Sequence, residues 1–259
     1  MTRLAFIDHP APGATRAPLL VLHGIFGAAK NWRAHAKRLG PGRRVLAVDL
    51  RNHGESPWEP RHDYEAMAED LARLIGRIGG RAAVLGHSMG GKAAMVLAET
   101  RPDLIERLIV ADIAPVAYSH DLLPEIRAMR AVDLSTLQRR SEVEAALAPR
   151  IDSAATRAFL AHGAVLGEEP RWSHNLDALE AEMPRIVSYP ELGGRYEGPV
   201  LMLTGGASRY VLPEHRGRIL ARFPAARFTA LEGAGHWLHV DRPREFVDAA
   251  NAFLAEGEA

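Results

Sequence analysis

The 259-residue sequence contains no cysteine, so a disulfide framework, a thiolate nucleophile and a zinc-ribbon site are all excluded. It also lacks net charge: 32 basic residues balance 32 acidic ones, which removes any global attraction to nucleic acid or to an anionic membrane. No apolar run approaches the roughly 20 residues of a membrane-spanning helix. The opening Met1-Thr-Arg-Leu-Ala-Phe-Ile-Asp-His-Pro10 has no apolar h-region, so it does not read as a secretory signal. Internal repeats and low-complexity tracts are absent as well. What is present is an ordinary globular composition, 47% hydrophobic and 25% charged, long enough for a sizeable core. The expectation is a soluble, cytoplasmic protein without nucleic-acid or membrane partners, either a monomer or a homodimer.

Short apolar runs bounded by Gly or Pro alternate with segments of helical period. Leu19 to Leu22, Val45 to Leu50, Ala82 to Leu85, Leu108 to Ala111 and Val200 to Leu203 are almost continuously apolar, as strands covered on both faces should be. Phe228 to Leu231 reads as a sixth strand and Leu4 to Ile7 as an edge strand. After Asp63, the residues Met67, Leu71, Leu74, Ile75 and Ile78 share one helix face, and Gly79-Gly80 ends the run. Pro213 opens a helix running to about Phe223, and Asp241 caps a last helix with Phe246, Val247, Ala250, Phe253 and Leu254 inward. This alternation predicts an α/β architecture with a mostly parallel sheet flanked by helices. Between about Pro115 and Gly198 it lapses into helical pieces: one opened by a capping box at Ser141 to Glu144 and stopped by Pro149, one over Ala158 to Val165, one capped by Ser173. The domain expectation is therefore a core of residues 1–115 and 198–259, with residues 116–197 inserted as a helical layer at the carboxyl side of the sheet.

The sharpest chemical signal is Gly86-His-Ser-Met-Gly90 between a strand and the helix Lys92 to Thr100. In that setting Gly-x-Ser-x-Gly is a nucleophile elbow, a tight turn that projects Ser88 from the sheet, with a helix amino terminus behind it where an oxyanion develops. The same residues come close to a phosphate-binding loop, Gly86-x-x-x-x-Gly91-Lys92, but Ala93 stands where a metal-binding hydroxyl belongs. His23-Gly-Ile-Phe-Gly27 follows another strand, and the Ile25 amide together with that of Met89 forms a candidate oxyanion hole. Asp49 and His53 lie in a polar loop after Val45 to Leu50 and read as residues that tie loops together. Near the carboxyl end, Gly233-Ala-Gly-His236 follows the last strand; a histidine in such a turn has the reach of a general base. His236-x-x-His239 lacks the further ligands that a metal site would need.

Six stretches together identify a resemblance: Leu20-Val-Leu-His-Gly-Ile-Phe-Gly27, Asp49-Leu-Arg-Asn-His-Gly-Glu-Ser56, Gly86-His-Ser-Met-Gly-Gly-Lys92, Val110-Ala-Asp-Ile-Ala-Pro115, Thr204-Gly-Gly-Ala-Ser-Arg-Tyr-Val211 and Gly233-Ala-Gly-His-Trp-Leu-His239. The chain resembles the α/β-hydrolase fold proteins, in particular the YbfF-type esterases and the abhydrolase-domain-11 proteins. That resemblance implies a Ser-acid-His triad, hydrolysis of short-to-medium esters or acyl-thioesters, a helical cap over the site and no cofactor or metal.

One departure matters. The superfamily usually carries its acid as Gly-x-x-Asp after the seventh strand, and here Leu203-Thr-Gly-Gly-Ala-Ser208 puts serine near that position. Asp112 is the preferred acid, because the resembling esterases carry an aspartate in this stretch and the superfamily's strand order brings it near His236. Asp177 and Glu214 stay open as alternatives. Phe26, Trp172, Tyr210 and Trp237 are the candidate substrate-pocket residues, with Tyr118 beside them. Haloperoxidase or carbon–carbon hydrolase chemistry on the same triad, and a non-enzymatic ligand receptor, remain the other readings of the fold.

Overall fold

The computed structural model describes residues 2–256; residue 1 and residues 257–259 of the expected core lie outside them. Nine strands occur among the described residues, in chain order: β1 (Phe6–His9), β2 (Leu19–Leu22), β3 (Val45–Val48), β4 (Ala82–His87), β5 (Ile105–Ala111), β6 (Ala164–Val165), β7 (Arg171–Trp172), β8 (Val200–Gly205) and β9 (Ala226–Leu231). Seven of them form one sheet in the order β1-β3-β2-β4-β5-β8-β9. Only β1 pairs antiparallel, with β3; every other neighbour is parallel.

The apolar runs are continuous because both sheet faces are covered, and successive side chains alternate between them. Leu20, Leu22, Val84, Leu108 and Val110 pack on one side with the helices Tyr64–Ile78 and Met89–Thr100. Leu19, Val21, Ala83, Leu85 and Ile109 pack on the other with Phe246, Val247, Ala250 and Phe253 of the helix Pro243–Ala255. Asp63 caps the helix Tyr64–Ile78 by accepting from the Ala66 N–H, and Gly79 ends it at φ 138°.

A parallel sheet brings all its carboxyl ends to one edge. The chain leaving β5 there builds a separate layer before returning at β8, with helices Leu123–Arg130, Arg140–Leu147, Ala154–Ala161, Leu176–Ala181 and Met183–Val187. Ile126, Met129, Leu147, Leu160, Leu179 and Met183 form its own apolar cluster, into which Phe26 of the core projects. No helix of the described residues is long and apolar enough to cross a membrane.

Local signals in this layer are displaced from their expected places. The helix expected from Ser141 starts at Arg140, because the Glu142 carboxylate reaches back to the N–H groups of Gln138 and Arg139. The piece expected over Ala158 to Val165 is the helix Ala154–Ala161, capped by Ser153, and Val165 belongs instead to the short antiparallel β6-β7 ladder. Ser173 caps nothing: its hydroxyl donates to the Gly163 carbonyl, and Asn175 caps the next helix. Asp241 likewise ends a short helical turn, accepts from the Gly235 N–H, and leaves Arg242 at the start of the last helix.

Beneath the carboxyl edge lies a set of buried histidines. Burial holds His62, His174 and His239 neutral, each with its pKa pushed down to about 3, and His23, His53 and His87 are lowered in the same direction. Each folded-state pKa lies below the roughly 6.5 of an unfolded histidine. Between those two values the unfolded chain binds protons that the folded chain refuses. Their contribution to stability is therefore complete above about pH 6.5 and is lost progressively as pH falls toward 3, at about 1.4 kcal/mol per pH unit per histidine. Urea unfolding across pH 7.5 to 4.5 should show this steep loss. His174→Phe, which removes one of these buried neutral rings, should reduce proton uptake on unfolding by about one; an unchanged slope would refute the assignment.

Candidate active site

The elbow after β4 is tight by necessity. A side chain on Gly86 would meet the Gly90 carbonyl, and one on Gly90 would place its Cβ 2.6 Å from the carbonyl oxygen of His23. Between these glycines Ser88 adopts φ 52°, ψ −119° and stands at the start of the helix Met89–Thr100. Positive φ recurs at Phe26 (60°) and Asp112 (53°), just beyond the carboxyl ends of β2 and β5. Such non-glycine conformations cost about 1–3 kcal/mol each and persist only where the surroundings enforce them. Three of them thus cluster where three adjacent parallel strands end.

The structure brings Ser88, His236 and Asp112 into one line. The Ser88 Oγ lies 3.1 Å from Nε2 of His236, and Nδ1 of His236 lies 2.8 Å from Oδ2 of Asp112. Asp112 is fully buried, and its carboxylate also accepts from the Gly205 N–H (2.9 Å) and from the Ser208 hydroxyl. Serine at position 208 therefore touches the acid from the loop where the superfamily's own acid usually sits. The other two carboxylates lie elsewhere: Asp177 pairs with Arg130 at the surface, and Glu214 is exposed on the short helical turn Pro213–His215.

The imidazole is held on its other sides too. Tyr210 stacks on it at 3.7 Å between ring centroids and 17° between planes. Nε2–H of His87 donates to the His236 carbonyl at 2.8 Å, which fixes the turn that carries the ring. The His239 ring stacks on Trp32 at 4.5 Å.

The loop after β2 sits against the elbow and is fixed by the Asp49–Ser56 segment. His53 Nε2 accepts from the Phe26 N–H (3.2 Å) while its Nδ1–H donates to the Arg51 carbonyl (3.0 Å). Asp49 accepts from the N–H groups of Ala29 (2.6 Å) and Glu55 (3.1 Å). Both residues thus hold loops together. Within the loop the Gly27 N–H donates to the Gly24 carbonyl, and the Ile25 N–H finds no acceptor among the described residues. The Met89 N–H, first in its helix, is one of the donors that a helix cannot satisfy internally.

Above Ser88 and His236 opens a cavity of about 280 Å³. Phe26, Tyr210 and Trp237 line it, with Leu122, Glu125 and Phe159 from the inserted layer. Trp172 does not. Its indole is buried in the layer's own core and donates to the Met129 carbonyl at 2.9 Å, so an aromatic expected in the pocket serves packing. A side recess of about 40 Å³ reaches Ser88 past Met89, Lys92 and Tyr118. Lys92 is no phosphate ligand: its ammonium donates to the carbonyls of Val187 (3.0 Å) and Ser188 (2.5 Å), lies over the Tyr118 ring, and burial pushes its pKa down to about 7. Sequence reasoning missed the roles of His87, Ser208 and Lys92, whose partners are all distant in the chain, and the place of Glu125 in the cavity wall. The sole advance sign was serine standing near the usual acid position.

Comparison with known proteins places the fold in a family. The Alpha/beta hydrolase family model matches residues 19–249. The sn-1-specific diacylglycerol lipase ABHD11 of Mus musculus is 43% identical over 253 residues, 93% of this chain and 82% of that protein. Esterase YbfF of Escherichia coli is 36% identical over 240 residues, covering 92% and 93% of the two chains. A solved structure titled "Marine microorganism esterase" superposes with a TM-score of 0.91 at 34% identity, over 98% of this chain and all of that one. With a parallel sheet, a strained serine at the end of its central strand and these relatives along nearly its whole length, the chain belongs to the alpha/beta hydrolase family.

Proposed function

We propose that this protein is a serine ester hydrolase that works through an acyl-enzyme. The observation that carries the reading is the unbroken chain from the Ser88 hydroxyl through the His236 imidazole to the Asp112 carboxylate beneath a cavity. His236 takes the Ser88 proton as the oxygen attacks the ester carbonyl, then delivers it to the departing alcohol or thiol. In the second half the same imidazole activates water against the acyl-enzyme. Asp112 keeps Nδ1 protonated, so that Nε2 faces the serine, and stabilises the imidazolium that forms. The amides of Ile25 and Met89 receive the developing oxyanion, an interaction whose removal typically costs about 3–4 kcal/mol in the transition state.

The names of the relatives, a lipase and two esterases, support carboxylic esters as the substrate class. The cavity's 280 Å³ stands near the lower end of small-molecule sites, about 300–1,000 Å³, and suits short-to-medium acyl chains in ester or thioester linkage. Residues 116–197 act in this reading as a cap, since Leu122, Glu125, Thr156, Phe159 and Leu160 supply cavity wall. The family hosts several chemistries, and nothing at the site favours the haloperoxidase, carbon–carbon hydrolase or receptor readings over hydrolysis.

Ser88→Ala should lower kcat on p-nitrophenyl butyrate by about 10⁴–10⁶-fold while the melting temperature stays close to wild type. It should also abolish labelling by a fluorophosphonate probe; wild-type turnover by this variant would end the proposal. The choice of acid is tested separately. Asp112→Asn should lower kcat by about 10⁴-fold through the wrong imidazole tautomer, whereas Asp177→Asn and Glu214→Gln should stay within about twofold of wild type. A large loss in either of the latter two, with Asp112→Asn active, would move the acid elsewhere.

A further inference from the structure

Glu125 is the only acidic side chain among the described residues that line the cavity above Ser88, and no lysine or arginine among them lines it. It projects from the first turn of the helix Leu123–Arg130. Its Oε2 is shielded from solvent and accepts from no donor among the described residues. A carboxylate oxygen in that state is unfavourable by itself, because its lost hydration is not replaced. The histidines His23, His87 and His239 in the same wall are held neutral by burial and supply no counter-charge. The carboxylate lies within electrostatic reach of Tyr210, whose phenol is raised first by burial and then by the charges of Asp112 and Glu125. Tyr210 in turn stacks on His236. An unused acceptor therefore sits in an otherwise mainly apolar cavity whose wall also carries Tyr210 and the His236 imidazole that faces Ser88.

We propose that Glu125 is a specificity residue: it accepts a hydrogen bond from a donor, a hydroxyl or an ammonium, carried on an arm of the ester away from the scissile carbonyl. The assignment rests on the hydrolase reading of this cavity and names its substrate class more closely. A substrate of this kind replaces the hydration that Oε2 has lost, whereas an anionic arm meets repulsion with no cation to relieve it. Because a site built for a donor is left with an unpaired charge when the donor is missing, discrimination comes from the poor substrate's penalty as much as from the good one's gain.

The test compares kcat/KM for matched pairs of esters in wild type and in Glu125→Gln, Glu125→Leu and Glu125→Lys, each first checked by thermal melting. On the alcohol arm, hydroxyethyl butyrate is set against propyl butyrate, and dimethylaminoethyl butyrate, whose protonated amine keeps one N–H, against its neutral carbon isostere 3-methylbutyl butyrate. On the acyl arm, ethyl hydroxybutyrate is set against ethyl butyrate. Wild type should favour the donor-bearing member of at least one pair by about tenfold or more. Glu125→Leu should erase that preference. Glu125→Gln should sharply reduce it for the ammonium, which loses the opposite charge, and retain much of it for a hydroxyl, since the amide carbonyl still accepts, so the two sources separate. Glu125→Lys should turn selectivity toward monoethyl succinate. Hydrolysis with the same ratios in wild type and Glu125→Leu would overturn this inference alone. Failure of wild type to cleave any of these esters would remove the hydrolase reading and this inference with it.

Discussion

The contact on which the site depends is the one between a buried carboxylate and an imidazole. Asp112 is wholly out of water, and a lone charge there would be expensive. It is sustained because three donors converge on it: the Gly205 N–H, the Ser208 hydroxyl and Nδ1 of His236. Those donors come from the ends of β8 and β9, while the acid itself follows β5. One carboxylate thus ties three loops into a single geometry, and the ring it holds is aimed at Ser88 rather than left to rotate.

The remaining rigidity comes from neutral histidines used as hardware. His23 donates to the Gly24 carbonyl and accepts from the Leu50 N–H, His53 accepts from Phe26, and His87 donates to the His236 carbonyl. An uncharged imidazole suits a buried joint, because it offers one donor and one acceptor and carries no charge to desolvate. The cost is sensitivity to acid, since each of these rings must charge or the fold must open as pH falls. Backbone strain at Phe26, Ser88 and Asp112 is confined to the same edge, where these joints enforce it.

The inserted layer supplies cavity wall and no member of the Ser88–His236–Asp112 chain. Its helices form an apolar core of their own, and Lys92 holds them to the elbow helix through the carbonyls of Val187 and Ser188. That buried ammonium fastens the segment returning to β8. The cavity above Ser88 is consequently walled in part by residues such as Glu125 and Phe159, which the sheet does not position.

The linear sequence determined what depends on neighbours along the chain. Continuous apolar runs specify strands covered on both faces, the Asp63 cap and the Gly79 stop bound a helix, and the glycines around Ser88 dictate an elbow, because each is a matter of local sterics or periodicity. Caps in the inserted layer were less legible, since Glu142, Ser153 and Asn175 compete with equally suitable neighbours and only packing selects among them. Tertiary structure alone decided which of three carboxylates reaches the imidazole, that Trp172 is core while Trp237 is wall, and that Lys92 is bound to carbonyls. Those outcomes follow from strand order and from which distant surfaces exclude water together, and no local pattern of residues encodes either.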